Sequence, residues 1–259
     1  MSRRAFQAYL AATGSKHPGS RRAATAADED HGMKTFLMLA GAALALAATP
    51  AVARDGETDR AGDIQFKVLG TAVLPDGKIT DINVNLPGLP ATLQTKANDN
   101  FVPTIAVEYF VADNVSIETI AGVTQHDVDA TAGLPAGAEL VSDALLLPAT
   151  VTAKYHFDLG GVKPYVGGGV AYFIWLSDKP GAATLPLGVT DTDLSDEFGF
   201  ALQGGFDIPL GGKGFGLSFD AKRYFIDTTA RWYVGNTLAI ETRHKLDPWV
   251  LSAGVAYRF

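Results

Sequence analysis

Every second residue at the end of this chain is apolar: Trp249, Leu251, Ala253, Val255, Tyr257 and Phe259. Between them stand Val250, Ser252, Gly254, Ala256 and Arg258, a smaller and more polar set. Successive side chains of a strand point to opposite faces, so residues 247–259 read as a strand with one broad apolar face and one small polar face. Aromatic residues stand at both ends of the apolar stripe. A water-soluble barrel would carry its polar set outside. Here the bulky apolar set suits lipid between two aromatic girdles, and the small set suits a narrow interior.

The same alternation recurs upstream. Phe101, Pro103, Ile105, Val107, Tyr109 and Val111 oppose Thr104, Ala106 and Glu108. Leu147, Ala149, Val151, Ala153, Tyr155 and Phe157 oppose Thr150, Thr152, Lys154 and His156. Ile64, Phe66, Val68 and Gly70 oppose Gln65, Lys67 and Thr71. Only the glycine run at 166–170 gives little contrast between faces, and Arg223 interrupts one stripe near its end. Eight strands are predicted: 63–74, 99–111, 115–126, 147–158, 163–176, 197–209, 214–227 and 247–259. The connections sort by length. Ala112 to Asn114, Asp158 to Lys163 and Leu210 to Lys213 are short and rich in the Asp, Asn and Gly that accept turn dihedrals. The other connections, 75–98, 127–146, 177–196 and 228–246, are long. Strict alternation of short and long predicts an all-β fold, an eight-stranded antiparallel up-and-down transmembrane β-barrel, with short turns in the periplasm and long loops outside. An even strand count puts both chain ends on the periplasmic side. Closure lets every strand N–H and C=O pair within the protein, which lipid demands.

Export is written at the other end. Met33-Lys34 opens a segment whose apolar run, Thr35 to Ala48, is too short for an anchor, and Ala51 and Ala53 offer a signal peptidase its small residues. Residues 33–53 therefore read as a signal peptide, 1–32 as a non-native extension upstream of the true start, and 54–259 as the barrel domain. That domain holds 15 Lys and Arg against 25 Asp and Glu, a net charge of −10, which argues against nucleic-acid binding. Cysteine is absent, so thiol chemistry and disulfides are excluded.

Alternation places nine titratable groups inside: Lys67, Glu108, Glu118, Lys154, His156, Asp207, Asp220, Lys222 and Arg258. They read either as a structural ion-pair network filling a narrow lumen or as a charged constriction that selects solutes. An eight-stranded barrel is only just wide enough for its own side chains, which favours the network. Ile120 shares the inward face and is a candidate apolar constriction. Tyr109, Tyr155, Trp249 and Tyr257 are expected to face lipid. For catalysis His156 would need a serine and a carboxylate; Ser218 and Ser252 are inward, but neither lies in a nucleophile motif, and no enzyme is predicted. His126, His156 and His244 have no metal-ligand spacing, no cofactor is implied, and His126 and His244 are expected to be solvated at loop bases. The long loops carry many leucines, among them Leu86, Leu89, Leu134 and Leu187, which read as packing on one another over the mouth and as a hydrophobic entry funnel, two compatible roles.

Several strings carry a resemblance. Pro164-Tyr165-Val166-Gly167-Gly168-Gly169 resembles the Pro-Tyr-Val-Gly-x-Gly string of the OmpW family. Ala112-Asp113-Asn114-Val115, Asp227-Thr228-Thr229-Ala230, Leu246-Asp247-Pro248-Trp249-Val250 and Ala256-Tyr257-Arg258-Phe259 are similar to other parts of that family, in order, over about residues 62–259. The resemblance implies an outer-membrane barrel with a narrow, largely apolar lumen passing small hydrophobic molecules, the alternative being a structural or surface-receptor barrel with a closed lumen that acts through its loops. Its partners would be outer-membrane lipids and the barrel assembly machinery, since the terminal Phe259 resembles the end that machinery recognises. The loops holding Leu86 to Pro90 and Leu134 to Gly137 depart from the family pattern, so loop functions do not transfer.

Overall fold

The computed structural model describes residues 60–211 and 214–259. The expected extension, signal peptide and cleavage site lie outside the described residues, as do Gly212 and Lys213 of the last short turn. In chain order the strands are β1 (Ile64–Leu74), β2 (Lys78–Asn85), β3 (Gln94–Ala97), β4 (Asn100–Ala112), β5 (Val115–Ala121), β6 (Thr124–Ala132), β7 (Glu139–His156), β8 (Lys163–Pro180), β9 (Asp191–Leu194), β10 (Glu197–Pro209), β11 (Phe215–Phe225), β12 (Asp227–Val234), β13 (Thr237–Lys245) and β14 (Trp249–Arg258).

Eight of these form a closed antiparallel wall in the cyclic order β1-β4-β5-β7-β8-β10-β11-β14. Closure is made by the ladder between β1 and β14, from Gln65 opposite Arg258 to Leu74 opposite Trp249. No helix among the described residues is long and apolar enough to cross a membrane. The alternating stripes face outward: Phe101 is 71% exposed and Phe200 68%, with Val68, Ile105, Val170 and Val255 beside them. Arg223, the exception, lies at the end of β11, where it pairs with Asp76 and stacks its guanidinium over Trp249.

The long connections are more ordered than loops. β7 and β8 extend the wall by several residues past the expected starts and ends, and β6 and β3 add to that extension beside β7. The expected strand 115–126 is broken at Gly122-Val123 into β5 and β6. The other long connections pair with each other as a second sheet, in the order β2-β13-β12-β9. The two extensions bury a common apolar core that includes Leu93, Leu140, Val189, Trp232 and Ile240, with Leu86, Leu89, Leu134 and Leu187 packed at its edge. Burial of that core is what orders segments that neither lipid nor barrel closure constrains.

Candidate functional site

The lumen is stacked in layers, because inward residues of neighbouring strands come level through the ladder registers. Lys67 and Ala106 are paired across β1 and β4, Glu108 and Glu118 across β4 and β5, and Gln203 and Lys222 across β10 and β11. Glu118 is the hub. Its Oε2 accepts from Lys67 Nζ and Lys154 Nζ, both at 3.0 Å, and its Oε1 accepts from Lys222 Nζ at 3.1 Å and Gln203 Nε2 at 2.8 Å. Glu108, wholly buried, holds Lys67 at 2.7 Å and Lys154 at 2.9 Å. Asp220 takes Lys222 at 2.7 Å, Gln203 at 2.6 Å and the Tyr165 hydroxyl at 2.8 Å. Asp207 accepts from Gln65 and lies 3.9 Å from Lys67. Lys154 also sits 3.7 Å from the centroid of the Tyr165 ring. Buried charges are tolerable in this form because each meets an opposite charge and further hydrogen bonds.

Glycines of β8 and β10 make this packing fit. A Cβ on Gly205 would strike the Tyr165 ring, and one on Gly167 would press on the Lys154 stem. Arg258, expected among the nine, stands apart at the short-turn rim, 3.5 Å from Asp63. Gln65, Gln203 and Tyr165 belong to the network although no charge flagged them. Their inward parity was the signal that could have found them.

His156 does meet a serine and a carboxylate, but the serine is Ser116, not Ser218 or Ser252. Ser116 Oγ donates to Glu108 Oε1, and His156 Nε2 lies 2.9 Å from each of these oxygens. A hydrolytic relay needs the hydroxyl and the carboxylate on opposite ring nitrogens. Here both share Nε2, Nδ1 has no hydrogen-bond partner among the described residues, and all three side chains are closed off from solvent. This geometry orders a core. Ser252 is engaged with Thr71 at 2.9 Å, and Ser218 is buried away from His156. Among the described residues no three His, Cys, Asp or Glu side chains are grouped as a metal ion would need.

Above the charges lies a layer of hydroxyls: Thr71 to Thr104 at 2.6 Å, Thr150 to the Tyr224 hydroxyl at 3.2 Å, and Thr152 donating to Gln203 at 2.7 Å. Ile120 is buried at this level with Leu69 and Ala106, a small apolar patch facing the axis. Higher still the lumen opens. A cavity of about 490 Å³ is lined by Ile120, Val102, Leu146, Phe173 and Val250. A second, of about 780 Å³ with its open part included, continues toward the long-loop end between Val141, Ala144, Leu146, Trp175, Leu194 and Trp232. The two share Val73, Leu146, Phe173 and Pro248. Leu86, Leu89, Leu134 and Leu187 pack against the shared apolar core, and none of the four lines either cavity.

His126 and His244 line that space and are buried, where solvated positions were expected. The packing of the extensions creates the face that covers them, and no local sequence signal announces it. Burial pushes the His244 imidazole down to about 4, and burial likewise lowers His126 against the pull of the Asn98 carbonyl. His126 Nδ1 donates to that carbonyl at 2.7 Å, which leaves Nε2 to accept from Thr124 at 3.0 Å.

Beside the lower cavity the wall has a seam. The ladder between β4 and β5 begins at Ile105 opposite Ala121, so Asn100 to Thr104 of β4 have no partner in it. Pro103 lacks an N–H to offer, and Gly122, whose Cβ would run into Thr104, follows the last residue of β5. Val102, Thr104, Gly122 and Thr124 line the cavity at this point.

Tyr109, Tyr155 and Trp249 face outward and are exposed, and Tyr257 stacks between Phe215 and Phe259 on the outer surface. Phe259 also meets Phe66 edge-on and donates its N–H to the Ile64 carbonyl, which fastens the chain end across the closing ladder.

This architecture is shared. The crystal structure of the outer membrane protein OprG from Pseudomonas aeruginosa superposes with a TM-score of 0.69 at 25% identity, covering 77% of this chain and 97% of that one. An uncharacterized outer-membrane protein, y4mB, of Sinorhizobium fredii is 34% identical over 85% of this chain and 90% of its own. Outer membrane protein W of Vibrio cholerae is 27% identical over 62% of this chain and 75% of its own. The model of the OmpW family matches residues 60–259, the whole of the barrel with its strand extensions. With the closed eight-stranded wall, its exposed apolar stripes and this match over the full described chain, the protein belongs to the OmpW family and is an outer-membrane β-barrel.

Proposed function

We propose that this barrel lets small apolar molecules pass from the outside into the outer membrane's lipid, entering at the long-loop end and leaving sideways through the seam between β4 and β5. The observation that carries this reading is the juxtaposition of three features: an apolar cavity, a paired ion network directly beneath it, and a wall ladder that stops beside it. An apolar solute finds company in the cavity and none in the network, where it would strip charges of their partners. The straight path to the short-turn end is therefore blocked to it, and the lateral path leads to a better solvent. Ile120 sits at the turning point. The same network leaves little room for a continuous water column, so ion conductance is low. The lumen charges serve as a plug, Tyr109, Tyr155, Trp249 and Tyr257 anchor the barrel in lipid, and Phe259 offers the assembly machinery its aromatic end.

The test uses cells whose outer membrane excludes an apolar fluorophore such as N-phenylnaphthylamine. Expression of the parent is expected to speed its uptake, and Ala144→Phe, which fills the cavity, is expected to return uptake to the background. Planar bilayers holding the purified parent should show only small currents. Porin-like currents, or unchanged uptake in a folded Ala144→Phe protein, would rule the reading out.

A further inference from the structure

The stripe that opens β1 is bulky until one position. Phe66 and Val68 are followed, two residues on, by Gly70. The gap is filled from the next strand. A Cβ on Gly70 would lie 2.7 Å from Phe101 Cζ and 3.5 Å from both Cε atoms, so the far edge of that ring rests on the bare Gly70 backbone. In the ladder between β1 and β4, Gly70 is level with Pro103 and Phe101 with Ala72. Phe101 is thus a diagonal neighbour of Gly70, within the reach of an aromatic side chain. Glycine weakens a strand interior and often marks a close approach of this kind.

Phe101 also stands on the strand that borders the seam. Below, the seam ends where the ladder of Ile105 and Ala121 begins. Above, Asn100 bridges it, its Nδ2 donating to the Gln125 carbonyl at 2.9 Å and to Thr124 Oγ1 at 3.3 Å. Residues 101–104 lie between, about 13 Å of strand at ~3.3 Å per residue. The Phe101 backbone is fixed at the upper end, because its N–H donates to Asn100 Oδ1 at 2.8 Å. Its ring is largely exposed, so packing leaves it free to change rotamer. β4 has β1 on one flank and the seam on the other. The ring lies on the β1 flank, where a residue without a Cβ receives it. A different staggered χ1 well takes it off β1.

We infer that Phe101 is the lid of the lateral exit and that Gly70 is its seat: the ring parked on Gly70 leaves the seam clear, and the ring swung off β1 covers it. The inference rests on the proposed lateral passage and adds the residues that control it. Gly70 is a positioning residue, acting only through the ring it receives.

The test places a methyl group on the seat. Uptake of N-phenylnaphthylamine is measured in cells bearing equal amounts of folded protein, and binding of the same fluorophore to the purified protein in lipid nanodiscs reports on the cavity. Gly70→Ala is expected to slow uptake about five-fold, the change in rotamer population that corresponds to about 1 kcal/mol. Binding is expected to stay at the parent's level, because Gly70 faces away from the lumen. Gly70→Ala combined with Phe101→Ala removes the ring that the methyl group displaces and is expected to restore uptake, which a merely structural defect at Gly70 would not allow. Uptake unchanged in Gly70→Ala overturns the inference, as does a double variant no faster than the single one, or a loss of binding that accompanies the loss of uptake. If the parent still speeds uptake and Ala144→Phe still abolishes it, such results leave the passage standing without its lid. Parent cells that take up the fluorophore no faster than cells without the barrel remove the passage and the lid together.

Discussion

Glu118→Ala removes the acceptor at which three lysines converge. In the parent, Glu118 meets Lys67, Lys154 and Lys222 at 3.0 to 3.1 Å, and Gln203 at 2.8 Å. After its removal only Glu108 and Asp220 remain in direct contact with those three ammonium groups, Asp207 being 3.9 Å from Lys67. The three buried ammonium groups are then left with two carboxylates in contact and a third at the limit of pairing distance, and every contact that Glu118 accepted is lost. Breaking a buried pair in this way typically costs about 3–5 kcal/mol, because the surviving partner keeps its desolvation penalty. Urea titration of the barrel in lipid vesicles would show this as a lower midpoint. Glu118→Gln keeps an acceptor oxygen at the same place and is expected to lose less than the alanine variant. Planar-bilayer recordings of the alanine variant should show more current than the parent, as water enters to replace the contacts that Glu118 supplied. A cost below about 1 kcal/mol for Glu118→Ala, or a glutamine variant no more stable than the alanine one, would refute the plug as a mutually dependent network.

Three further outcomes are expected. Val255→Arg puts a charge on the outward stripe of β14 and is expected to cost about 2–4 kcal/mol if that residue lies near the bilayer midplane; vesicle unfolding measures it. His244 is 7% exposed and lowered by burial to about 4, whereas the unfolded chain binds a proton near pH 6.5, so stability is full above that value and falls as pH drops toward 4. Between pH 7 and 5 the loss amounts to about 2 kcal/mol, visible as faster amide exchange in β12 and β13 and absent in His244→Gln. Finally, the chain has no cysteine background, so cysteine at position 137 should react with an impermeant reagent on intact cells and cysteine at 113 only after the outer membrane is opened; the reverse would invert the assigned orientation.

The barrel itself was legible because lipid imposes a simple rule on sequence. Each spanning strand must present an apolar stripe outward and close its hydrogen bonds to its neighbours. Period-two alternation in 63–74, 99–111 and 247–259 therefore located strands within a few residues, and in 147–158 the end of a strand that starts eight residues earlier, while parity alone chose which charges face inward. What parity could not give is who meets whom. That Glu118 gathers Lys67, Lys154 and Lys222 depends on the relative register of four strands, from β1, β5, β7 and β11, which are set by ladders between residues up to about 190 positions apart in sequence, as Gln65 and Arg258 are. The second sheet was legible in neither way. β2, β9, β12 and β13 lie outside the rule of the membrane, and their order reflects a core shared between distant connections. His126 and His244 became buried and the apolar cavity came into being only when those connections packed together, because burial of that kind is a property of the assembled surfaces and of no single segment.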